Sequence, residues 1–475
     1  MKKKIELVFI PTPVIGHLTS AVEFANLLVD RYQNLSITML LIKPPFHTKS
    51  TSLIESLSTT DQQNGRIQFI TLPEIPIDEK TRKSSLSLKA LIENQKLHVL
   101  ETITKRNPDS PTLAGFVVDM FCITMIDVAN QFNIPTYVFF TSGSGFLSLL
   151  FHLQDLYDRH GNDMDEVLSS VTEFSVPGFD NPISREIVYN IFYDKDASKW
   201  VHGNTMRFRE AKGVLVNTFS ELEADTMRWF STSEIPTVYP VGPILNLKKK
   251  EQSHEDEILK WLDEQPPSSV LFLCFGSLGS FNEDQIKEIA FALERTGVRF
   301  LWSLRQTQPK DNPGLPSDSA YSEDVLPEGF LDRTAEIGRV IGWAPQVEIL
   351  AHPATGGFIS HCGWNSTLES LWHGVPMAAW PMYAEQQFNA FQMVVELGLA
   401  VDISLDYNMK GYMEKGLILS AENIESGIRK LMEDNEEIKK VVKIKSEESK
   451  NAVKEGGSSF IALDRFINSL FYNFP

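Results

Sequence analysis

The sequence contains few cysteines, and their number and spacing exclude two common ways of stabilising a chain. The 475 residues include only Cys122, Cys274 and Cys362. An odd and sparse set cannot form a disulfide framework, and no C-x-x-C pair is present to suggest a zinc site. A reducing compartment fits this composition, so we expect the protein in the cytoplasm.

Basic residues are also scarce relative to acidic ones. Lysine and arginine number 44 against 62 aspartates and glutamates, which leaves a formal net charge of −18. Such a surface repels phosphate backbones and anionic membranes, and no run of lysines is long enough to offset the repulsion. We therefore expect no nucleic-acid partner.

Long hydrophobic runs are absent as well. No apolar stretch approaches the roughly 20 residues that span a bilayer, so we expect no membrane insertion. The N-terminal segment MKKKIELVFIPTPVIGH starts like a signal peptide, but Pro11 and Pro13 interrupt it and no small-x-small cleavage site follows. We interpret this segment as a buried first strand. Separately, we expect the protein to be a monomer.

What the sequence does contain is an alternation of apolar strands and helices. Hydrophobic residues make up 42% of the chain, and its length favours two domains over one. Strand-like segments such as IELVFI and LSITMLLI alternate with helix-period segments such as HLTSAVEFANLLVDRY and LSLKALIENQKLHVLETI. Strands that are apolar on both faces and separated by helices indicate a parallel sheet covered on both sides.

A charged stretch beginning at Leu247 interrupts this alternation, and a second α/β series follows it. We predict a first domain over 1–246, a linker over 247–256, a second domain over 257–455 and a C-terminal helix over 456–475, which is able to dock back on the first domain. In the second series Asn282 is the predicted N-cap of a helix that ends at Gly297. The polar stretch 306–324 is predicted to be a surface loop.

One continuous stretch in the second series carries an unusual mixture of residues: WAPQVEILAHPATGGFISHCGWNSTLESLWHGVPMAAWPMYAEQ, residues 343–386. It is typical of a helix, a strand, a helix and a strand, followed by another helix. Its polar residues fall at the ends of strands and the starts of helices. In an open parallel sheet that edge is where ligands bind.

Two strand-to-helix turns at this edge are candidate phosphate sites. In HCGWNSTLES a helix starts, and its backbone N–H groups are supplemented by the side-chain donors of His361, Asn365 and Ser366. In CFGSLGS glycines precede Ser277, whose hydroxyl is a further donor. Unpaired N–H groups and the positive end of a helix dipole attract anions. The alternative is a pair of ordinary tight turns.

Other residues of the stretch suit a nucleoside and a sugar. Glu369, one turn into the same helix, offers a carboxylate to a ribose diol, and Trp343 offers a ring that can stack on a base. A core tryptophan and a solvated glutamate are the alternatives. Glu385 and Gln386 begin another helix at this edge, and their side chains suit sugar hydroxyls.

These residues resemble the plant UDP-sugar-dependent glycosyltransferases of secondary metabolism, also called family 1 glycosyltransferases. Trp343 to Gln386 is similar to their 44-residue signature box from its first residue to its last. The segments PTPVIGHL, VGPI, CFGS and EGGSS extend the resemblance over essentially the whole chain. It implies the GT-B fold, an α/β architecture of two Rossmann-like doubly wound parallel-sheet domains that face a cleft.

The resemblance also implies a role for individual residues. The first domain would bind mainly the acceptor and the second mainly the UDP-sugar, with UDP-glucose favoured by Trp364 and Gln386 and another sugar such as xylose left open. UDP-glucose would be a co-substrate; no cofactor is expected, and no metal either, because helix ends and His361 can hold the diphosphate. The residues implied to contact the UDP-sugar are Thr141, Ser277, Trp343, Ala344, Gln346, His361, Trp364, Asn365, Ser366, Glu369, Tyr383, Glu385 and Gln386.

The predicted catalytic pair lies in the first domain. His17 opens the helix after the first strand, where the positive dipole end is expected to keep the imidazole neutral. Asp119 ends a strand at the same sheet edge and would orient His17, which would take the proton of an acceptor hydroxyl. A single displacement at the anomeric carbon would then invert its configuration and give a β-glucoside.

The acceptor is the part that the sequence leaves most open. Met120, Phe121 and Phe146 suggest an apolar pocket for a small phenolic, flavonoid or terpenoid. An aspartate pair in DMD, residues 163–165, matches a metal-binding pattern of other glycosyltransferases but is better explained as surface charge. Two other functions are considered, a nicotinamide-dependent oxidoreductase and a nucleotide-sugar-binding protein; the first lacks its G-x-G-x-x-G segment, and His17 with Asp119 disfavours the second.

Overall fold

The computed structural model describes residues 4–44, 49–59, 65–82, 84–160, 163–192, 194–247, 255–277, 279–305, 323–407, 418–433 and 436–472. The middle of the predicted linker and nearly all of the predicted 306–324 loop lie outside these residues. The described chain forms a seven-stranded and a six-stranded sheet, both parallel, and a two-stranded antiparallel ribbon.

The first sheet has the strand order β3-β2-β1-β4-β5-β8-β9. Its strands are β1 (Ile5–Ile10), β2 (Leu35–Leu41), β3 (Ile67–Thr71), β4 (Thr112–Asp119), β5 (Thr136–Phe140), β8 (Gly213–Val216) and β9 (Thr237–Pro240), and the ribbon pairs β6 (Glu173–Phe174) with β7 (Ile183–Ser184). Every residue of β1 is buried. Leu7 and Phe9 pack into one core and Val8 and Ile10 into another, as expected for a sheet covered on both faces.

Helices connect these strands. They are α1 (Ile15–Arg31), α2 (Lys49–Thr59), α3 (Glu79–Arg82), α4 (Ser87–Glu93), α5 (Lys96–Thr104), α6 (Ile126–Gln131), α7 (Ser144–Arg159), α8 (Met164–Ser170), α9 (Arg185–Phe192), α10 (Lys195–Phe208) and α11 (Ala224–Thr232), with a short 3₁₀ turn at Ile123–Met125. The single helix predicted over 86–103 is wrong, because the chain turns at Asn94 and Gln95. The buried amide of Gln95 donates a hydrogen bond to the Pro73 carbonyl at 2.9 Å, and this contact stabilises the break.

The second sheet has the order β12-β11-β10-β13-β14-β15. Its strands are β10 (Val270–Cys274), β11 (Arg299–Ser303), β12 (Gly338–Ile341), β13 (Thr355–Ser360), β14 (Met377–Ala379) and β15 (Ala400–Asp402). Leu271 and Leu273 of β10 face one core, and Val270 and Phe272 face the other. The second sheet is therefore also covered on both faces.

The helices of the second half are α12 (Glu255–Asp263), α13 (Glu283–Thr296), α14 (Phe330–Arg333), α15 (Gln346–Ala351), α16 (Trp364–His373), α17 (Gln386–Phe391), α18 (Ala421–Met432), α19 (Glu436–Ala452) and α20 (Ser458–Tyr472), with a 3₁₀ turn at Glu323–Val325. The predicted caps of α13 are confirmed: the Asn282 side chain accepts from the Gln285 N–H at 2.8 Å, and Gly297 has a φ of 63°. The helix predicted from Glu385 onward continues past α17 as a π-helical turn, Gln392–Glu396.

Both sheets reverse their strand order at one point, between β1 and β4 in the first and between β10 and β13 in the second. The predicted fold class, two Rossmann-like doubly wound parallel sheets, is confirmed. The last helix, α20, returns to the first half, where Leu463, Phe466 and Leu470 share a core with β1. The two halves are thereby joined by packing as well as by the chain.

Candidate active site

One part of the site lies at the reversal point of the first sheet. His17 is in the first turn of α1, which follows β1, and Asp119 is the last residue of β4. Nδ1 of His17 lies 2.8 Å from Oδ2 of Asp119. The other oxygen, Oδ1, accepts hydrogen bonds from the Thr12 hydroxyl at 2.5 Å and from the Phe121 N–H at 3.0 Å. The buried carboxylate is held from both sides, and Nε2 is the imidazole nitrogen available to a substrate.

Opposing effects act on the pKa of His17. Burial lowers it, whereas the charge of Asp119, the hydrogen bond to that carboxylate and the charge of Glu385 raise it, and the result lies above the ordinary value of 6.5. The lowering of the pKa that was expected from the start of α1 is therefore opposed by the carboxylate of Asp119. A full negative charge in contact with the ring outweighs the partial charge of a helix end.

Thr141 follows β5 and lies beside this pair. Its hydroxyl is 2.9 Å from Nδ1 of His17, and it lies 3.9 Å from the Met120 sulfur. The sequence predicted a contact between Thr141 and the sugar, and the structure brings the residue to the imidazole of the predicted base. Thr141 and Asp119 together restrict the orientation of the His17 ring.

Aromatic rings form a wall next to His17. The ring centroid of Phe121 lies 5.4 Å from that of His17 and 5.2 Å from that of Trp200, on which it stacks. Phe146 lies 5.7 Å from Phe388, a residue of α17 in the second half. Phe121 was predicted and lies beside His17, whereas Trp200 was not predicted; Phe146, which was predicted, is buried with Phe388 in a hydrophobic core. No motif marks Trp200 within its helix, so the sequence contained no signal for it.

The second half contributes a group of three contacting side chains near Trp343. The Gln346 side-chain amide donates to the Ser366 hydroxyl at 2.8 Å and to the Glu369 carboxylate at 2.6 Å. Trp343 follows β12 and is 42% exposed, which leaves ring surface for stacking. The Lys49 ammonium of the first half lies 3.1 Å from the centroid of the Trp343 ring. The residues predicted to bind base and ribose are thus neighbours, and the first half reaches them.

The carboxyl group of Glu369 has a perturbed affinity for protons. Burial raises its pKa to about 7, and the hydrogen bond from Gln346 opposes that rise. Additional hydroxyl donors would favour the ionised form in the same way. Hydrogen bonds from a bound diol would therefore shift this carboxyl group toward its ionised form.

The two predicted phosphate turns lie side by side. His361 follows β13, and a side chain at either Gly276 or Gly363 would collide with its ring. Gly276 has a φ of 73° and precedes Ser277 in the turn after β10. Burial, followed by the charge of Arg305, lowers the pKa of His361 to about 4. The imidazole is neutral at physiological pH and can act only as a hydrogen-bonding group.

Residues at the start of α16 bridge to the first half. The Asn365 amide donates to the Gly16 carbonyl at 3.3 Å, next to His17. The Trp364 indole N–H donates to the Asn217 carbonyl at 2.7 Å. Trp364 was predicted to lie near the sugar, and its only N–H is engaged by the first half. Trp364 is 2% exposed and belongs to a hydrophobic core of the second half, so the structure places it in the packing between the two halves.

The residues predicted to bind the sugar lie at the start of α17. Burial raises the pKa of Glu385, whereas the charge of His17 lowers it, so these residues of the two halves are close in space. The Gln386 carbonyl oxygen accepts from the backbone N–H groups of Met382 at 3.0 Å and Tyr383 at 3.1 Å. The side-chain NH₂ of Gln386 is therefore the part of this residue that can contact a sugar. Ala344 is buried directly after Trp343.

Across the described ranges, no group of three or more His, Cys, Asp or Glu side chains is placed to hold a metal ion. The Asp163 carboxylate, part of the predicted surface DMD segment, accepts from the Glu166 N–H at 3.4 Å at the start of α8, and the Asp165 side chain lies outside the described part. In the same ranges, no helix combines the length and apolarity needed to cross a bilayer.

Known proteins resemble this chain along its whole length. Residues 193–447 match the family described as UDP-glucoronosyl and UDP-glucosyl transferase. UDP-glycosyltransferase 71A15 of Malus domestica is 49% identical over 99% of this chain and 100% of its own, and a putative UDP-glucose flavonoid 3-O-glucosyltransferase 3 of Fragaria ananassa is 51% identical over the same shares.

Solved structures of other proteins have folds that are similar to that of this chain. A transferase of Siraitia grosvenorii in complex with UDP has a TM-score of 0.89 and 55% identity, over 98% of this chain and 100% of its own. UGT71G1 of Medicago truncatula complexed with UDP-glucose has a TM-score of 0.86 and 41% identity, over 98% of each chain.

Proposed function

The chain belongs to the UDP-glucoronosyl and UDP-glucosyl transferase family, and from this premise we propose that it transfers glucose from UDP-glucose to a hydroxyl group of a small apolar plant metabolite, with inversion. It is a UDP-glycosyltransferase with the GT-B fold. The observation that carries the proposal is the 2.8 Å hydrogen bond between His17 and Asp119 at the reversal point of the first sheet. Family membership also favours this function over nicotinamide-dependent oxidation.

The proposed reaction is one displacement. Nε2 of His17 takes the proton of the acceptor hydroxyl as its oxygen bonds to the anomeric carbon, and the bond from that carbon to UDP breaks with its electron pair on UDP. Asp119 stabilises the imidazolium that forms, which agrees in direction with the raised pKa of His17. Attack opposite to the leaving group converts the α-linked donor into a β-glucoside.

The donor proposal rests on the order of side chains along the second half. Trp343 would stack on the base, Glu369 and Gln346 would bind the ribose, and the turn at His361 would bind the diphosphate. Glu385 and Gln386 would contact the sugar next to His17. The Medicago neighbour binds UDP-glucose, which supports glucose as the donor sugar.

The acceptor proposal rests on the wall of aromatic rings. Phe121 lies beside His17 and stacks on Trp200, so a planar apolar molecule would be bound by these rings near the base. The names of several relatives refer to flavonoids or anthocyanidins. We propose a phenolic, flavonoid or terpenoid alcohol as the acceptor class.

We also propose a division of labour between domains. Residues 1–246 would bind the acceptor, 257–455 would bind UDP-glucose, and α20 would hold the two together from its position on the first core. The three cysteines are free and buried, which supports action in the reducing cytoplasm. The enzyme would act as a monomer.

A screen tests the proposal directly. The purified enzyme is incubated with UDP-glucose and a panel of hydroxylated plant metabolites, products are found by mass spectrometry, and the anomeric configuration is read from proton coupling constants. We expect β-O-glucosides of aromatic acceptors, and a lower rate with UDP-xylose at equal concentration. α-Glucosides would contradict inversion, and preference for UDP-xylose would contradict the donor assignment.

A further inference from the structure

A buried arginine lies in the second half, at the end of β11, where the sequence motifs predicted no ligand contact. Arg305 follows this strand by two residues, so it stands at the carboxyl edge of the sheet with Trp343 and His361. We propose that Arg305 binds the diphosphate of the UDP-sugar and supplies positive charge to this site. The inference rests on the proposed function, since it concerns the donor site.

The contacts of Arg305 place it between the base and phosphate positions. Its guanidinium donates a hydrogen bond to the carbonyl of Gly276, in the turn that presents Ser277. Its central carbon lies 5.7 Å from the centroid of the Trp343 ring. Its charge also acts on His361, whose pKa it lowers. One side chain therefore borders the stacking residue and both phosphate turns.

The charge balance of the site calls for such a residue. The chain carries a net charge of −18, and the buried carboxyl groups of Glu369 and Glu385, whose pKa values burial raises, provide no positive charge for an anion. His361 is neutral at physiological pH, so it contributes no positive charge. A guanidinium is always charged, and its planar fork of donors matches phosphate oxygens.

The positive charge of Arg305 would also act during the reaction, because negative charge develops on the leaving group. When the bond from the anomeric carbon to UDP breaks, its electron pair stays on UDP and the diphosphate gains one negative charge. A fixed cation beside the diphosphate stabilises this developing charge without rearrangement. Arg305 would thus act on the transition state in addition to binding the donor.

Binding of three related ligands separates this role from a structural one. Titration calorimetry with UDP, UMP and uridine compares the wild-type enzyme with Arg305→Met, which keeps the apolar stem, and Arg305→Lys, which keeps the charge. Arg339→Met is the matched control, because Arg339 also donates to a backbone carbonyl, that of Gly338 at 2.9 Å, and lies 5.5 Å from a tryptophan ring.

The proposal predicts a loss that grows with phosphate number. Arg305→Met should weaken UDP binding about tenfold or more, UMP binding less and uridine binding hardly at all. Arg305→Lys should recover part of the UDP affinity, and Arg339→Met should bind all three ligands as the wild type does. Salt should weaken UDP binding to the wild type more than to Arg305→Met.

Three results would overturn the inference in distinguishable ways. An equal loss for uridine and UDP in Arg305→Met would mean that Arg305 only supports the turn at Gly276. Unchanged UDP binding in Arg305→Met, with a loss in Lys49→Met, would assign the charge to Lys49, the other cation near Trp343. A wild-type enzyme that binds neither UDP nor UDP-glucose would refute the proposed function itself.

Discussion

Replacing Asp119 by asparagine keeps the size of the side chain but removes its charge and gives it a donor. Oδ1 of Asp119 accepts from the Phe121 N–H and the Thr12 hydroxyl. In Asp119→Asn the oxygen must stay on that side, because an amide NH₂ there would face a backbone N–H. The NH₂ group then faces Nδ1 of His17 and donates to it, which leaves the proton on Nε2.

The consequence is an imidazole in the wrong tautomer for a base. Nε2 carries a proton, so it cannot accept one from the acceptor hydroxyl, and the imidazolium loses its adjacent carboxylate. Loss of a positioned general base lowers rates by roughly 10²- to 10⁴-fold, which corresponds to about 3–5 kcal/mol of transition-state stabilisation. We expect the kcat of Asp119→Asn to fall within this range and the KM for UDP-glucose to change little.

The assay is the initial rate of UDP release with the best acceptor from the screen, measured from pH 5 to pH 9. Because the charge of Asp119 raises the pKa of His17, any residual activity of Asp119→Asn should persist to lower pH than that of the wild type. Asp225→Asn is the control, since Asp225 pairs with Arg228 at the surface of the same half. A rate for Asp119→Asn within tenfold of the wild type, or an unshifted acid limb, would refute the reasoning.

Three further changes test other parts of the structure. His202 is buried between the rings of Tyr157 and Phe192, and burial is the main reason that its pKa is lowered to about 4. As the pH falls, the imidazole of the unfolded chain is protonated before that of the folded protein. The contribution of neutral His202 to the free energy of unfolding is therefore complete above pH 6.5 and is lost as the pH falls through 4. His202→Phe should therefore remove up to about 3 kcal/mol of the acid-induced loss in unfolding free energy, measured by urea titration at several pH values. A methyl at Gly143 would lie 2.8 Å from both the Glu223 carboxylate and the Trp364 ring, so Gly143→Ala should lower the free energy of unfolding by about 1–3 kcal/mol, whereas Gly203→Ala, in open space within α10, should not lower it. Chelators should leave the rate of glucosyl transfer unchanged, and strong inhibition that a divalent cation reverses would contradict metal-free binding.

Most of the fold was predictable because, in most helices and strands, the local sequence pattern agrees with the packing that the element has in the structure. The segment IELVFI coincides with β1, and the caps at Asn282 and Gly297 define α13 as expected. The prediction failed where one tertiary contact decides the local structure. The break at Gln95 depends on the Pro73 carbonyl, a partner that no helical periodicity indicates.

The candidate site divides in the same way. His17, Asp119 and the segment from Trp343 to Gln386 could be found because they lie where strands end, in a pattern that the resemblance identifies. Trp200 reaches Phe121 from a neighbouring helix, a contact that no sequence pattern indicates. Arg305 did carry a signal, because it is a cation two residues after an apolar strand, at the edge of the sheet where ligands bind.

The most direct test of the central claim is the behaviour of His17→Ala. We expect this variant to bind UDP-glucose with nearly the affinity of the wild type, measured by calorimetry, while glucosyl transfer falls at least 10²-fold. His352→Ala is the matched control, because His352 also pairs with an aspartate, Asp263, at 3.1 Å, away from the site. Undiminished transfer by His17→Ala, with UDP-glucose still bound, would contradict the account.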